Sequence, residues 1–299
     1  MSALAAIALL IDVAIGWPDA ALRRIGHPVI WLGRLISALD DRLNRGPHRH
    51  AKGALAVALT VLAAALPAMV LQSLLGPWVA AVLAWPLVAS RSLHDHVAAV
   101  MRPLAQGDLA TARHTTSMIV GRDVTRADEP TLARAATESL AENASDGVIA
   151  PLFWAAVAGL PGIAAYKAIN TLDSMIGHRT PRHERFGCVA ARLDDLVNLI
   201  PARLTALLFV AVSGKGGRIV LRDAGKHRSP NAGWPEAAMA GALGVRLSGP
   251  RVYADRIAEE PWLNEAARDP QAEDLARALR IYRRAVALAG VLLILLAIS

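Results

Sequence analysis

Residues 53–75 read GALAVALTVLAAALPAMVLQSLL, 23 residues without a charged side chain. At about 1.5 Å of rise per residue, a helix of this length crosses a hydrocarbon core of about 30 Å. The run decides the fold class, because a backbone surrounded by lipid must satisfy its N–H and C=O groups internally, and an Ala- and Leu-rich segment does so as a helix. The rest of the chain is of the same kind. Its 299 residues are 54% hydrophobic but only 4% aromatic, with a mean hydropathy of +0.37, more apolar than an ordinary soluble domain. Ala, Leu, Val and Ile supply that apolarity, in place of the short alternating segments of a membrane barrel. The expectation is an all-α, polytopic integral membrane protein, one membrane-embedded domain over residues 1–299.

Other apolar blocks lie on either side of this run. Residues 77–89 follow Gly76 and Pro77 and are short for a span, so they are expected to return as a hairpin partner. Residues 285–298 are uncharged and follow Arg280, Arg283 and Arg284, a basic flank that suits a cytoplasmic edge. Three further spans or half-spans carry interruptions: 3–15 contains Asp12, 148–166 is cut by Gly159-Leu160-Pro161-Gly162, and 199–213 contains Pro201 and Arg203. Broken or polar-bearing helices survive in a bilayer where they line protein or a watery cavity, so a site is expected among them. Val29, Leu32, Ile36, Leu39 and Leu43 recur at helical spacing with Arg34, Arg42 and Arg45 nearby, which fits a helix in the headgroup plane or an ordinary amphipathic packing helix. The polar stretches 91–147 and 214–283 have helix-forming composition and are expected to form cytoplasmic helical lobes.

The net charge of +7 comes from 32 Lys and Arg spread through loops between apolar blocks, the pattern of positive cytoplasmic loops. No block interleaves basic and aromatic residues, and seven Trp, three Tyr and three Phe offer little for base stacking, so nucleic acid is not an expected partner. A single cysteine, Cys188, excludes an intramolecular disulfide and a multi-thiolate metal site. The apolar N-terminus lacks a basic leading region and a small-residue cleavage site, so it reads as a retained anchor. His48/His50 and His94/His96 point about 200° apart if helical, which argues against a shared metal.

The chemistry is concentrated in three polar segments set against apolar ones. In the first, Glu138 and Glu142 share a helical face, followed by Asn143 and Asp146. In the second, Lys167, Asn170 and Ser174 form one stripe, with Asp173 a turn from Asn170. In the third, Asp194 and Asp195 lie within a turn of Asn198, and Arg203 follows Pro201. Oxygen-rich sets of this kind suit magnesium, which binds through one or two carboxylates plus substrate phosphates. The competing reading is that the acids pair with Lys167, Arg192 and Arg203 simply to tie helices together. Arg122 and Asp123 with Arg126, and the run Lys226-His227-Arg228-Ser229-Pro230-Asn231, bring cations to loops that could cradle phosphate oxygens. Neither GxxxxGK[ST] nor GxGxxG occurs, so a P-loop or Rossmann site is excluded by pattern.

Together, ESLAENASDGVIAPLFW (138–154), YKAINTLDSMIG (166–177), FGCVAARLDDLVNLIPARL (186–204) and SPNAGWPEAAMAGALGVRLSG (229–249) resemble the blocks of the cobalamin-biosynthesis CobD/CbiB family. The similarity runs in order from IDVAIGWP and HPVIWLGRLI through RSLHDHV to the apolar C-terminus, with Trp17 standing where the family's first motif has an acidic residue. The resemblance implies an adenosylcobinamide-phosphate synthase: an amide ligase joining adenosylcobyric acid, a corrinoid, to aminopropanol or its phosphate with ATP and magnesium. It would be a multi-pass protein of the cell inner membrane with a cytoplasmic active site. Partners would be the lipid bilayer and these substrates, with a homo-oligomer or other cobalamin-pathway enzymes left open. On that implication Asp173, Asp194, Asp195 and Asn198 hold magnesium. Glu138, Glu142, Asn143, Asp146, Lys167 and Asn170 are catalytic, with Glu138 or Glu142 as the base. Arg122, Asp123, Arg203, Lys226, His227, Ser229 and Asn231 bind substrate and its phosphates. A non-catalytic membrane sensor of the related AmpE-like type is the alternative, and it would need the fold but not the acids.

Overall fold

The computed structural model describes residues 1–253 and 256–299. Its helices are α1 (Ser2–Ile15), α2 (Asp19–Ile25), α3 (Pro28–Leu43), α4 (Arg49–Ala84), α5 (Ser90–Ala105), α6 (Leu109–Ser117), α7 (Glu129–Ala144), α8 (Ala150–Leu172), α9 (Cys188–Ser213), α10 (Gly217–Asp223), α11 (Gly233–Leu243) and α12 (Ala272–Ile298). Four helical stretches, Arg49–Ala105, Glu129–Gly177, Cys188–Ser213 and Ala272–Ile298, are long and apolar enough to cross a membrane, and they suggest a membrane protein. In Arg49–Ala105 only 22% of the most apolar window is buried inside the protein, against 56% in Glu129–Gly177. The first therefore turns most of its surface outward, whereas the second is largely enclosed by other helices.

Several boundaries differ from the sequence expectation. The run 53–75 and residues 77–84 of the second run belong to one helical stretch, α4, whose backbone leaves helical geometry at Gly76 (φ 76°, ψ 175°). Proline disfavours the α conformation in the residue before it, and glycine takes the positive φ that remains, so Gly76-Pro77 bends the stretch there. α9 begins at Cys188 because the polar segment ahead of residue 199 is helical too, and α12 begins at Ala272. The start of α12 is held by Asp274, fully buried, which accepts from the Gln271 N–H (2.9 Å), Arg268 (2.7 and 2.9 Å) and Arg277 (3.0 Å).

The chain divides into two compact units, each assembled from separate segments. The first comprises Met1–Ala89, Ala150–Asn198 and Gly290–Ser299, and the second Ser90–Ile149 and Leu199–Ala289. In the first unit Ile36, Ala56, Val57, Leu172, Ile176, Phe186 and Ala190 form a buried cluster. Glycine lets backbones meet beside it, since a Cβ on Gly53 would lie 1.9 Å from the Phe186 carbonyl oxygen.

The interruptions of α8 and α9 are repaired by side chains of the same unit. At Gly159 (φ 66°) α8 kinks, and the Leu160 N–H donates to Gln72 Oε1 of α4 at 2.7 Å. Pro201 has no N–H for the carbonyl four residues earlier, and the Trp154 indole N–H donates to that Val197 oxygen at 3.1 Å. A Gln within the longest apolar run thus has a definite task.

The second unit packs α7 against α11 through alanine-rich faces: Ala133, Ala135, Ala136, Ala141, Ala237, Ala238 and Ala240 are fully buried. It also adds two short ribbons to a chain that is otherwise mostly helical, as expected. β1 (Leu247–Ser248) pairs antiparallel with β4 (Trp262–Leu263), and β2 (Arg251–Tyr253) with β3 (Arg256–Ala258). Gly244, Gly249, Pro250 and Pro261 punctuate this region too densely for a helix.

Asp40 of α3 anchors the 178–187 segment within the first unit. It accepts from Arg182 Nη2 (2.6 Å) and Nε (3.0 Å), His183 Nε2 (3.2 Å) and Asn44 Nδ2 (2.8 Å). Burial pushes this carboxyl up, but the hydrogen bonds from Asn44, Arg182 and His183 outweigh it and hold it below the ordinary carboxylate range. A depressed carboxylate contributes stability above its unfolded pKa near 3.8, and that contribution is lost as pH falls through the lower folded value. Asp40→Asn is therefore expected to lower the melting temperature by several degrees at pH 7 and by less as the pH is brought below 3.8. Melting curves across that range check this, and an equal deficit at all pH values would contradict it.

Candidate active site

Polar groups gather at two places, one in each unit. In the first unit, α8 ends in a π turn, Asp173–Gly177, a feature that often marks functional positions. The last turns of α8 and the first half of α9 face each other there. Asp194, 8% exposed, accepts from Asn198 Nδ2 at 3.0 Å and from Asn170 Nδ2 at 3.4 Å. Asn198 in turn accepts at Oδ1 from the hydroxyl of Tyr166, 1% exposed, at 3.0 Å. Among the described residues the side chains that donate to Asp194 are these two amides. Asp173 and Asp195 lie within electrostatic reach of it.

Lys167 belongs to the same unit, and its charge reaches His27. Burial, and then Lys167, push the His27 imidazole below its ordinary value, so it is neutral at pH 7. His27 Nδ1 accepts from the Val29 N–H at 3.2 Å as the N-cap of α3, which leaves the proton on Nε2. Asp12 is buried on α1.

In the second unit Arg122 and Glu138 form a buried ion pair with Nη2 and Oε2 2.5 Å apart. The other carboxylate oxygen, Oε1, accepts from the Ser248 N–H at 2.7 Å, and Ser248 reaches it with a left-handed φ of 60°. Glu138, Glu142, Asn143, Ser139 and Arg122 line a pocket of about 140 Å³. Asn143 donates to the Ser139 carbonyl at 2.9 Å. Asp123 is turned toward its own loop, accepting from the Thr125 N–H at 2.9 Å and hydroxyl at 2.7 Å. Asp146 lies in a second π turn, Ser145–Ile149, between α7 and α8.

The 226–234 segment is bonded largely within itself. Lys226 pairs with Asp223 at 2.8 Å, His227 Nδ1 accepts from the Ser229 N–H at 3.1 Å, and Ser229 Oγ accepts from the N–H groups of Asn231 and Ala232 at 3.2 Å. Arg203 joins it, with Nη1 3.3 Å from Asn231 Oδ1 and the guanidinium 4.3 Å from the centre of the Trp234 ring. Among the described residues Arg203 is engaged by Asn231 and Trp234 and has no acidic partner.

The structure thus joins Asn170, Asp194 and Asn198 in one network, Arg122, Glu138, Glu142 and Asn143 at one pocket, and Arg203 with Asn231. Tyr166, Ser139 and Ser248 belong to these arrangements and were not anticipated, nor was His27, which lies outside them within reach of the Lys167 charge. Tyr166 had a signal, a hydroxyl amid apolar neighbours directly before Lys167, whereas Ser248 acts through its backbone and had none. Among the described residues no three or more His, Cys, Asp or Glu are grouped to hold a metal. The donors around Asp194 fit an ion that takes one or two carboxylates and completes its shell with phosphate oxygens and water, and do not form an all-protein cage.

The family model described as CobD/Cbib protein matches residues 5–282. The chain is 59% identical over 295 residues to the cobalamin biosynthesis protein CobD of Rhodobacter capsulatus, covering 96% of this chain and 94% of the relative. It is 46% identical to proteins of the same name from Rhizobium meliloti and Brucella suis, in each case over 92% of this chain and 90% of the relative. No solved structure matches it.

Glu138→Gln would leave Arg122 buried beside a neutral amide. Removing one partner of a buried pair costs about 3–5 kcal/mol, so a strong drop in melting temperature is expected. Glu138→Gln combined with Arg122→Met should recover much of it. Thermal melts of the single and double variants check the coupling, and additive losses would contradict it.

Proposed function

This chain belongs to the CobD/CbiB family and acts in cobalamin biosynthesis, and we propose that its step is the ATP- and magnesium-dependent joining of adenosylcobyric acid to (R)-1-aminopropan-2-ol or its O-phosphate. The product is adenosylcobinamide or its phosphate, and the activity is that of an adenosylcobinamide-phosphate synthase, a carbon–nitrogen ligase. The observation that supports this reading is Asp194: a buried carboxylate on an apolar helix, hydrogen-bonded by two amides and, among the described residues, in no salt bridge with a cation. Helix tying alone calls for an ion pair, whereas a carboxylate awaiting a cation is what a phosphoryl-transferring enzyme keeps. The sensor alternative is not favoured, since the relatives carry the name of a biosynthetic protein.

A carboxylate does not acylate an amine unaided. In the proposed reaction a carboxylate oxygen of the corrinoid attacks the terminal phosphorus of ATP, the bond to ADP breaks, and an acyl phosphate forms. The amine nitrogen then attacks the acyl carbon, phosphate leaves, and the nitrogen gives up a proton. Magnesium, when bound, screens the charge on the phosphoryl oxygens. Asp194 would hold it together with phosphate oxygens and water, and Asn170 and Asn198 orient the Asp194 oxygens. Glu138 already accepts at both oxygens, so Glu142, exposed at the rim of the same pocket, is the better placed to take the proton. Arg122 lines that pocket too and would meet phosphate oxygens. The inner membrane with a cytoplasmic site is the proposed location, in keeping with the basic residues that precede the last apolar run.

Purified protein given adenosylcobyric acid, aminopropanol or its phosphate, ATP and magnesium is expected to form the amide with release of ADP and phosphate in equal amounts. Mass spectrometry of the corrinoid and a coupled ADP assay check this. No amide with either amine donor would overturn the ligase reading.

A further inference from the structure

Beyond the acids and Arg122, the second unit holds a second pocket of about 630 Å³, in the range of small-molecule sites. Three guanidinium groups line it, those of Arg122, Arg126 and Arg134. Arg122 is fixed by its contact with Glu138, which engages one of its nitrogens and leaves other donors of the fork. Arg134 is largely buried on α7, with its guanidinium 4.9 Å from the centre of the Trp262 ring and Nη1 3.6 Å from Asp269. Among the described residues its Nε has no hydrogen-bond partner, so this donor is available to an acceptor that comes beside it.

The acids that line the same pocket are hydrogen-bonded to their own loop and helix start, with Arg126 in electrostatic reach of Asp123 and Arg134 of Asp128. Asp123 accepts from the backbone and hydroxyl of Thr125, and Asp128 caps α7 by accepting from the Thr131 N–H at 3.1 Å. These bonds hold both carboxyls below the ordinary range, so they stay acceptors and cannot serve a ligand as donors. Arg126 is exposed at the pocket wall. Planar guanidinium groups that converge on one cavity match the geometry of phosphate oxygens better than any neutral ligand.

We propose that this pocket binds a phosphoryl group, with Arg126 and Arg134 contacting it beside Arg122. The proposal rests on the ligase reading only for the source of the phosphoryl group, which is either the polyphosphate of the nucleotide or a phosphate monoester on the amine donor. Direct binding to the full chain in phosphatidylcholine nanodiscs, measured by calorimetry without corrinoid, tests it. The probes are sodium tripolyphosphate for the first source and O-phosphoethanolamine for the second. At least one is expected to bind, with Arg126→Gln weakening it tenfold or more and Arg134→Lys, which keeps the charge but removes the Nε donor, weakening it several-fold. Binding of tripolyphosphate alone assigns the pocket to the nucleotide, and binding of O-phosphoethanolamine alone assigns it to the amine donor. Arg126 is exposed, so its variant carries the test even if Arg134→Lys does not fold. No binding of either probe to the unaltered chain, or unaltered affinity in Arg126→Gln, overturns the proposal. Because no amide is formed in this measurement, its failure is separate from failure of the ligase assay.

Discussion

The hydrogen bonds that Asn170 and Asn198 donate to Asp194 bring the polar faces of α8 and α9 together in the first unit. A charged carboxylate among apolar helices is expensive, and the usual remedy is a cation. Here Asp194 accepts from a pair of amides, and Tyr166 backs the one on Asn198. That arrangement accounts for Asn170 and Asn198 beside the acids of their segments, whereas Asn143, in the second unit, donates to the Ser139 carbonyl. The second unit handles its buried acids differently. Glu138 takes a guanidinium and a backbone N–H, while Asp223 takes Arg222, Lys226 and the Asn264 N–H. Those acids are already neutralised and hold the ribbons and helices in place.

The breaks in the apolar helices follow from the same need to satisfy every backbone group away from water. Gly76-Pro77 bends α4, Gln72 serves the amide exposed by the kink at Gly159, and Trp154 serves the carbonyl orphaned by Pro201. Each polar side chain sits where a proline or glycine has removed a helical bond. The polar residues of the apolar runs therefore separate into two kinds: those that repair the backbone, and those, such as Asp194, that the backbone does not use.

Much of this was legible in the sequence, because apolar content and charge-free length report directly on what a segment can bury. The helices around residues 53–75 and the amphipathic α3 follow from periodicity alone. The early start of α9 was not legible: Arg192, Asp194 and Asp195 depress the apolar signal although they lie on a continuous helix. The ribbons within 247–263 were missed because strands of two or three residues carry no periodic pattern. Within the candidate site, the partnership of Asn170, Asp194 and Asn198 combines a spacing of four along α9 with a contact across to α8, and only the first is visible in a sequence. The engagement of Arg203 by Asn231 and Trp234, and not by an acid, depends on a loop whose course no local pattern specifies.

Asp194 is proposed to hold a metal that serves phosphoryl transfer. The most direct measurement is ligase turnover as a function of magnesium concentration for Asp194→Asn, with melting temperature recorded on the same preparation. The account predicts that turnover falls well over tenfold, a loss above about 1.4 kcal/mol in transition-state stabilisation, or that the magnesium requirement rises steeply, while the protein melts within a few degrees of the unaltered chain. Near-normal turnover at ordinary magnesium, with the change confined to melting temperature, would show that Asp194 only packs helices and would contradict it.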